Sequence, residues 1–428
     1  MKKLHSTYLL TACLWAASLC TPLLAQFTLD GEFRPRAEYR HGFGSLIARD
    51  AEPGFSIATR ARLNAAYKQP GYTFYLSMQD ILVWGENRQI LPADQNNSFS
   101  VFQAWAEVKL GEKWATRFGR QVISYDDQRI FGGLDWAQQG RNHDAALLKF
   151  TDSTFLAHLG LAFSQDLASP GGYQSVGNAY NTTGFFTYKT MQYLYLKKTW
   201  KYLTGSLILL NNGFQRFDTA DEPDGAGYLQ TLGTHLEYSR GRVGLALNAF
   251  LQDGERPGGL QARWAYLLGL DLTYRPETGP GLGLGMEWIS GDDAASPGET
   301  GAFFPLYGTN HKFNGFMDYF YVGNHGNSVG LVDLHASANL RLGKNAGLLG
   351  RILYFRGAEA LPDGNRSLGT EADLVLTRNF DGFSLKVGYS HMFPAEGMFT
   401  LKGVDRASAA DWQDWAWLML VIKPGLIR

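Results

Sequence analysis

From Phe27 to Arg40 the chain alternates without a break. Phe27, Leu29, Gly31, Phe33, Pro35, Ala37 and Tyr39 take one parity, and Thr28, Asp30, Glu32, Arg34, Arg36, Glu38 and Arg40 take the other. Residues two apart share a face of a strand, so this stretch is a ribbon with one apolar side and one almost wholly charged side. The pattern recurs at Phe55 to Lys68, where Phe55, Ile57, Leu63, Ala65 and Tyr67 oppose Arg60, Arg62, Asn64 and Lys68. It returns at Ala262 to Arg275 and again from Val332 to Leu342.

Marking every such run predicts eighteen strands: 27–40, 55–68, 72–84, 99–110, 114–123, 142–151, 154–164, 185–197, 203–212, 228–239, 242–252, 262–275, 281–290, 329–342, 347–356, 369–379, 383–392 and 412–423. Most are longer than the about 5–6 residues usual in soluble sheets and match the about 9–11 needed to cross a bilayer. Between them, short turns at 69–71, 111–113, 152–153, 198–202, 240–241, 276–280, 343–346 and 380–382 alternate strictly with long, polar, Gly-rich connections. The long ones fall at 41–54, 85–98, 124–141, 165–184, 213–227, 253–261, 291–328, 357–368 and 393–411.

An up-and-down transmembrane antiparallel β-barrel of 16–18 strands, with both termini on the short-turn side, produces this sorting; a Greek-key sandwich does not. Lipid supplies no hydrogen-bond partner, so a sheet crosses it only when closed on itself. Aromatic residues near strand ends (Tyr39, Phe55, Tyr67, Tyr72, Trp84, Trp114, Tyr238, Tyr274 and Trp412) suit interfacial girdles. Helical spanning is excluded, because the longest apolar run after residue 25, Ala416 to Ile422, has seven residues where about 18 are needed.

The first 25 residues read as a signal peptide: Lys2 and Lys3, an apolar run from Tyr8 to Leu24, and a cleavage site at Leu23-Leu24-Ala25. The alternative lipobox at Leu10–Cys13 lies too near the basic start and is followed by more apolar sequence. Both cysteines, Cys13 and Cys20, leave with the leader, so residues 26–428 form a cysteine-free barrel domain. With 14% aromatic and 18% charged residues the chain is not disordered, and a net charge of −1 gives no footing for nucleic acid. The expected location is the bacterial outer membrane, with lipid as one partner.

Eighteen strands enclose a lumen wide enough for a channel unless loops fold into it. The polar faces of the first strands put Arg34, Arg36, Arg40, Arg60 and Arg62 inside, with Lys109, Arg117 and Arg120 nearby. Arginine forks bind carboxylates in bidentate fashion, so the row suits an acidic or polyhydroxylated solute. The same row also reads as an Arg–Asp/Glu ladder that stiffens the wall; sequence leaves both open.

The densest polar segment runs Arg117-Phe-Gly-Arg-Gln121, Tyr125-Asp-Asp-Gln-Arg-Ile-Phe-Gly132, Asp135-Trp-Ala-Gln-Gln-Gly-Arg141 and His143-Asp144. Planar hydrogen-bonding groups beside a stacking ring are the inventory of sugar recognition. With His311-Lys-Phe-Asn-Gly-Phe-Met-Asp318, this segment resembles the alginate-export family of outer-membrane barrels. The resemblance implies an eighteen-stranded porin whose arginine-rich lumen passes an anionic polysaccharide, drawing on periplasmic export components as partners. Carried over by position, it makes Arg120, Asp127, Arg129, Asp135 and Arg141 constriction residues and Lys312 a loop contact. Two features depart from that pattern: the overall charge is balanced, and the chain ends Lys423-Pro-Gly-Leu-Ile-Arg428 with no terminal aromatic.

The expected function is therefore loop-gated passive diffusion or export of an anionic or neutral saccharide, with no cofactor and no enzymatic step. A porin for another solute and a plugged surface-binding barrel are the alternatives. Carboxylates at Asp126, Asp127 and Asp135 alternate with arginines that would spoil a general acid. Gly281-Leu-Gly-Leu-Gly285 lacks the Lys-Ser/Thr of a phosphate loop and reads as strand. Asp221–Gly225, Asp292-Asp293 and Asp363–Asn365 lack an EF-hand loop and read as solvated turns.

Overall fold

The computed structural model describes residues 27–427 except 88, 90–97, 165–187, 218–222, 294–296, 322–324 and 326–327. The leader expected at 1–25 and the connection expected at 165–184 thus lie outside the described residues.

Each alternating run becomes a strand. The first nine are β1 (Phe27–His41), β2 (Gly54–Lys68), β3 (Tyr72–Val83), β4 (Ser100–Lys109), β5 (Trp114–Gln121), β6 (His143–Thr151), β7 (Phe155–Phe163), β8 (Thr190–Thr199) and β9 (Leu203–Phe217). Then come β10 (Pro223–Arg240), β11 (Val243–Glu255), β12 (Gln261–Tyr274), β13 (Gly281–Ile289), β14 (Glu299–Thr300), β15 (Leu331–Arg341) and β16 (Ala346–Arg356). The chain ends with β17 (Ser367–Asn379), β18 (Phe383–Pro394), helix α1 (Glu396–Lys402), β19 (Gln413–Ile422) and β20 (Gly425–Ile427).

Apart from the two short strands β14 and β20, every strand pairs antiparallel with its neighbours in sequence, and β19 returns to β1 with Phe33 opposite Ile422 and Arg40 opposite Trp415. The eighteen long strands therefore form a closed barrel with no free edge. Where β19 stops, β1 still has residues 27–32 to cover. Pro424 interrupts the pairing, its carbonyl accepts the Gly31 amide at 3.0 Å, and β20 resumes beside Leu29 and Asp30.

Two connections are shorter than expected. Strands β9 and β10 continue to Phe217 and from Pro223, and β11 and β12 to Glu255 and from Gln261. Their Gly-, Asp- and Gln-rich sequence is hairpin that outruns the apolar belt, where polar residues are free to face water on both sides.

The apolar parity points out. Phe55 is 70% exposed and Trp264 71%, while Leu63, Leu268, Leu340 and Leu418 are all open on the outer wall. On a barrel this surface meets hydrocarbon, and the charged parity lines the interior. Glycines on the inward parity make room for rings: Gly388 lies under the Trp417 indole, where any Cβ would collide with it.

Candidate functional site

The inner wall holds charge nearly everywhere, but the lumen is not empty. The connection 122–142 and, within the connection 290–330, residues 297–321 both turn inward and meet there. Phe131 bridges Tyr307, the Gly132 amide donates to the Tyr307 carbonyl at 2.9 Å, and the Thr309 amide donates to the Gln128 carbonyl at 2.9 Å. Around this seam Phe131, Phe303, Leu306, Tyr307, Met317 and Tyr319 are buried with Leu353, Phe355, Met392 and Trp415 of the wall. Apolar burial of that extent holds the segments as part of the core.

One end of segment 122–142 rests on β1, β2 and β3. Arg34 donates to the Asp135 carbonyl at 2.7 Å, to the Ala137 carbonyl at 3.2 Å and to Gln138 Oε1 at 2.9 Å. Arg36 reaches the Trp136 carbonyl at 2.7 Å and lies 4.2 Å over its ring. Arg60, 0% exposed, donates to Glu32 Oε1 at 2.9 Å and to Asp135 Oδ1 at 2.8 Å. Gln79 donates to the Gln139 carbonyl at 2.8 Å. Arg62 donates to Gln79 at 2.6 Å and stacks on Phe102.

The other end rests on β8 to β13. Asp126 accepts from Tyr195 at 2.6 Å, Ser206 at 2.6 Å and Lys197 at 3.1 Å. Asp127 accepts from Asn248 at 2.6 Å, and its carbonyl accepts from Lys312 at 2.8 Å. Arg129, 1% exposed, grips Glu287 with two bonds of 2.8 and 2.7 Å and Asn310 with one of 2.8 Å. Arg141 donates to the Gly308 carbonyl at 3.0 Å, and burial lowers its pKa.

Segment 290–330 is also held by α1, whose Met398 and Phe399 are buried in the same cluster. Lys402 donates to the Tyr319 carbonyl at 2.5 Å among the Tyr319 and Phe320 rings, and burial pushes its ammonium down to about 8. An unfolded lysine titrates near about 10.4, so the folded state binds fewer protons between about 8 and that value, and stability rises with pH across the window. Below it the buried charge is a standing cost. Hydrogen exchange of the 317–321 amides, corrected for intrinsic rate, should slow from about pH 8 to 10 in the native chain. It should be flat in Lys402→Met; a native chain that also shows no slope contradicts the assignment.

Ten of the eleven expected site residues, Arg34, Arg36, Arg60, Arg62, Arg117, Asp127, Arg129, Asp135, Arg141 and Lys312, lie on the inner wall or on its inward segments. The exception is Arg120. It shares the parity of Phe118, which is 55% exposed on the outer wall, and it pairs there with Asp144 at 2.9 Å. Arg117 and Arg120 are three apart, an odd spacing that sends them to opposite faces. Arg117 is the inward one, bonded to Glu107 at 2.8 Å.

Four acids of the interior had no role assigned from sequence, although Asp333 was placed on the polar face of its strand. Glu287, Asp333, Glu371 and Asp373 form an acidic wall on β13, β15 and β17, all nearly fully buried. Asn314 joins Glu287 at 2.9 Å to Asp333 at 3.2 Å, and Glu371 accepts the Met317 amide at 2.9 Å. Trp136 stacks on His311 at 4.5 Å and meets Trp415 and Trp417 edge-on. Strand parity was the available signal for the four acids; Trp136 and His311 stood in the two segments already singled out, but nothing local marked that they stack on one another.

A family model described as alginate export matches residues 27–412. The chain belongs to the alginate-export family. No curated protein matches it. Among solved structures, Pseudomonas aeruginosa OpdO is similar with a TM-score of 0.63 at 14% identity, over 94% of this chain and 98% of that one. Pseudomonas aeruginosa OccK9 (OpdG) gives 0.63 at 11%, over 94% and 100%. A BenF-like porin from Pseudomonas fluorescens Pf-5 gives 0.61 at 12%, over 94% and 100%. At such identities the likeness establishes the fold. Family membership, with the closed barrel and its apolar exterior, makes this chain an outer-membrane channel of the alginate-export family, seated in lipid and built for solute passage.

Proposed function

We propose that this channel passes an anionic saccharide across the outer membrane, with a carboxylated polysaccharide such as alginate as the leading case. Residues 1–25 serve in this reading as the export signal, and periplasmic export components meet the short-turn mouth. The observation that carries it is the charge at the narrowing: Arg34, Arg36, Arg40, Arg60 and Arg62 meet only Glu32, Glu38 and Asp135. Five cations against three anions make the β1–β2 side of the lumen locally positive, across from the acids of β13, β15 and β17, and that side draws anions. The arginines act mainly through that field, since most of their N–H groups are spent on holding segment 122–142.

Planar-bilayer recording tests this. A salt gradient should give a reversal potential on the anion-selective side, and an oligouronate should block current where a neutral malto-oligosaccharide of equal length does not. Arg120→Gln, on the lipid-facing wall, should match the native chain. Cation selectivity with equal block by both sugars overturns the reading. A second reading, a barrel closed at rest, is favoured by the apolar seam between Phe131 and Tyr307; it expects long closed periods before any solute-dependent current.

A further inference from the structure

Outside the lumen, the short-turn rim of the barrel carries a cluster of positive charge. Turn 198–202 holds Lys198 and Lys201 with no acid, and turn 240–242 holds Arg240 and Arg242. The Ser239 amide donates to the Tyr202 carbonyl at 2.9 Å and ties the two turns together. Strand parity sends Lys198 and Arg240 outward. Lys198 is the cross-strand partner of Gly205 on β9, which stands on the face of the exposed Leu207 and Leu209. Arg240 shares the face of Tyr238 and lies opposite Val243, both exposed on the outer wall.

Aromatic rings fix the depth of these charges. Trp200 is 54% exposed, and its indole edge comes to 3.5 Å from the place a Cβ on Gly205 would take, so it lies against the outer wall beside Lys198. The Lys201 ammonium is 5.0 Å and the Arg240 guanidinium 5.3 Å from the centre of the same Tyr202 ring. Tryptophan and tyrosine at the end of the apolar belt occupy the headgroup layer, where the ring meets acyl chains and its polar edge meets water. Cations beside them stand at the level of lipid phosphates.

Acids do not neutralise the cluster. Among the described residues Lys198 bonds only the Thr154 hydroxyl, at 2.8 Å, and Lys201 and Arg240 make neither a hydrogen bond nor an ion pair. Two acids on flanking turns are taken, Asp152 by Lys113 at 3.3 Å and Glu277 by Arg242 at 2.5 Å. Elsewhere on the rim Arg378 lies 5.3 Å over Phe380 as a single cation.

We propose that Lys198, Lys201 and Arg240, with Trp200 and Tyr202, bind the phosphate headgroup of an anionic phospholipid in the leaflet on the short-turn side. Short turns of such barrels are periplasmic, so this is the inner leaflet of the outer membrane. The occupant is a lipid because the strand that starts at this rim runs on into the apolar wall through Leu207 and Leu209, where acyl chains lie. Three cations without an acid favour a headgroup of net negative charge, such as phosphatidylglycerol, over a zwitterionic one. The site stands outside the lumen and holds whatever solute the channel passes.

The test is native mass spectrometry of the purified full-length barrel in a neutral detergent, titrated with phosphatidylglycerol or with phosphatidylcholine of equal chain length. The native barrel should retain phosphatidylglycerol with a dissociation constant about tenfold or more below that for phosphatidylcholine. Lys198→Gln/Lys201→Gln/Arg240→Gln should bring the two lipids to within about twofold of one another. Lys113→Gln/Lys344→Gln/Arg378→Gln removes as much charge from other turns and should keep the native preference. Should the first triple variant fail to fold, Lys201→Gln/Arg240→Gln carries the same comparison with a smaller loss. Inorganic phosphate equimolar with the lipid should displace none of it; displacement marks a free-anion site and overturns the lipid assignment. A native barrel that does not distinguish the two lipids also overturns it. So does equal loss in the two triple variants, which makes the preference a diffuse field of the rim.

Discussion

Arg129→Met should undock segment 122–142 from the far wall and raise the conducting fraction of the channel. This one side chain bonds Glu287 of β13 twice and Asn310 once, and rests 4.6 Å over Phe313, so it ties both inward segments to the barrel. Removing one partner of a buried ion pair costs about 3–5 kcal/mol, because the carboxylate left behind has no water to replace the guanidinium. Each 1.4 kcal/mol is about a factor of ten in population, so a loss of that size turns a rarely open segment into a commonly open one. Single-channel recording should show longer open times or a larger conductance step. Arg129→Met/Glu287→Leu, which removes both charges, should recover most of the native behaviour. If Arg129→Met gates like the native chain, the segment is held by its apolar seam and not by this pair.

Arg60→Ala should weaken the opposite anchor and the barrel with it. Arg60 is wholly buried between Glu32 and Asp135, and its loss leaves Glu32 facing only Arg34 at 3.8 Å and Lys423 at 3.3 Å. A fall of about 3–5 kcal/mol in stability is expected, read as a lower unfolding temperature in detergent. The same anchor has a pH signature. Burial pushes the Asp135 carboxyl up, but Arg60 and Arg34 outweigh it and hold the pKa below the usual carboxylate range. A carboxylate depressed in the folded state contributes stability above its unfolded value of about 3.9, and that contribution is lost as pH falls through the depressed folded value. Native channels should therefore release the 135–139 end only in acid below about pH 4, whereas Asp135→Asn should show no such transition. Equal unfolding temperatures for Arg60→Ala and the native chain would remove Arg60 from the anchor.

The candidate site was only half legible for a physical reason that these two arginines illustrate. Parity put Arg60 inside the barrel correctly, because a side chain's face depends on its two neighbours along the strand. It could not say what Arg60 touches there, since Asp135 and Gln138 lie some 75 residues further on. Arg120 shows the converse. Its odd spacing from Arg117 was enough to place it outside, but a dense motif read as one unit obscured the strand under its first five residues. The acids Glu287, Asp333, Glu371 and Asp373 each stand on the inward parity of a strand and acquire meaning only where Asn314 and Met317 come to rest on them.

By itself the sequence determined the ribbon count, the two faces of each ribbon, the sorting of turns from long connections, and hence a closed cylinder in lipid. Those properties follow from period-two alternation and from the need to pair every backbone group, both of which act strand by strand. The tertiary structure alone decided what fills the cylinder. Segments 122–142 and 290–330 fall where the turn pattern predicts loops, and although 301–321 is rich in aromatic residues, only the mutual burial of the two segments across the lumen turns arginines such as Arg34 and Arg60 from solute-facing groups into anchors.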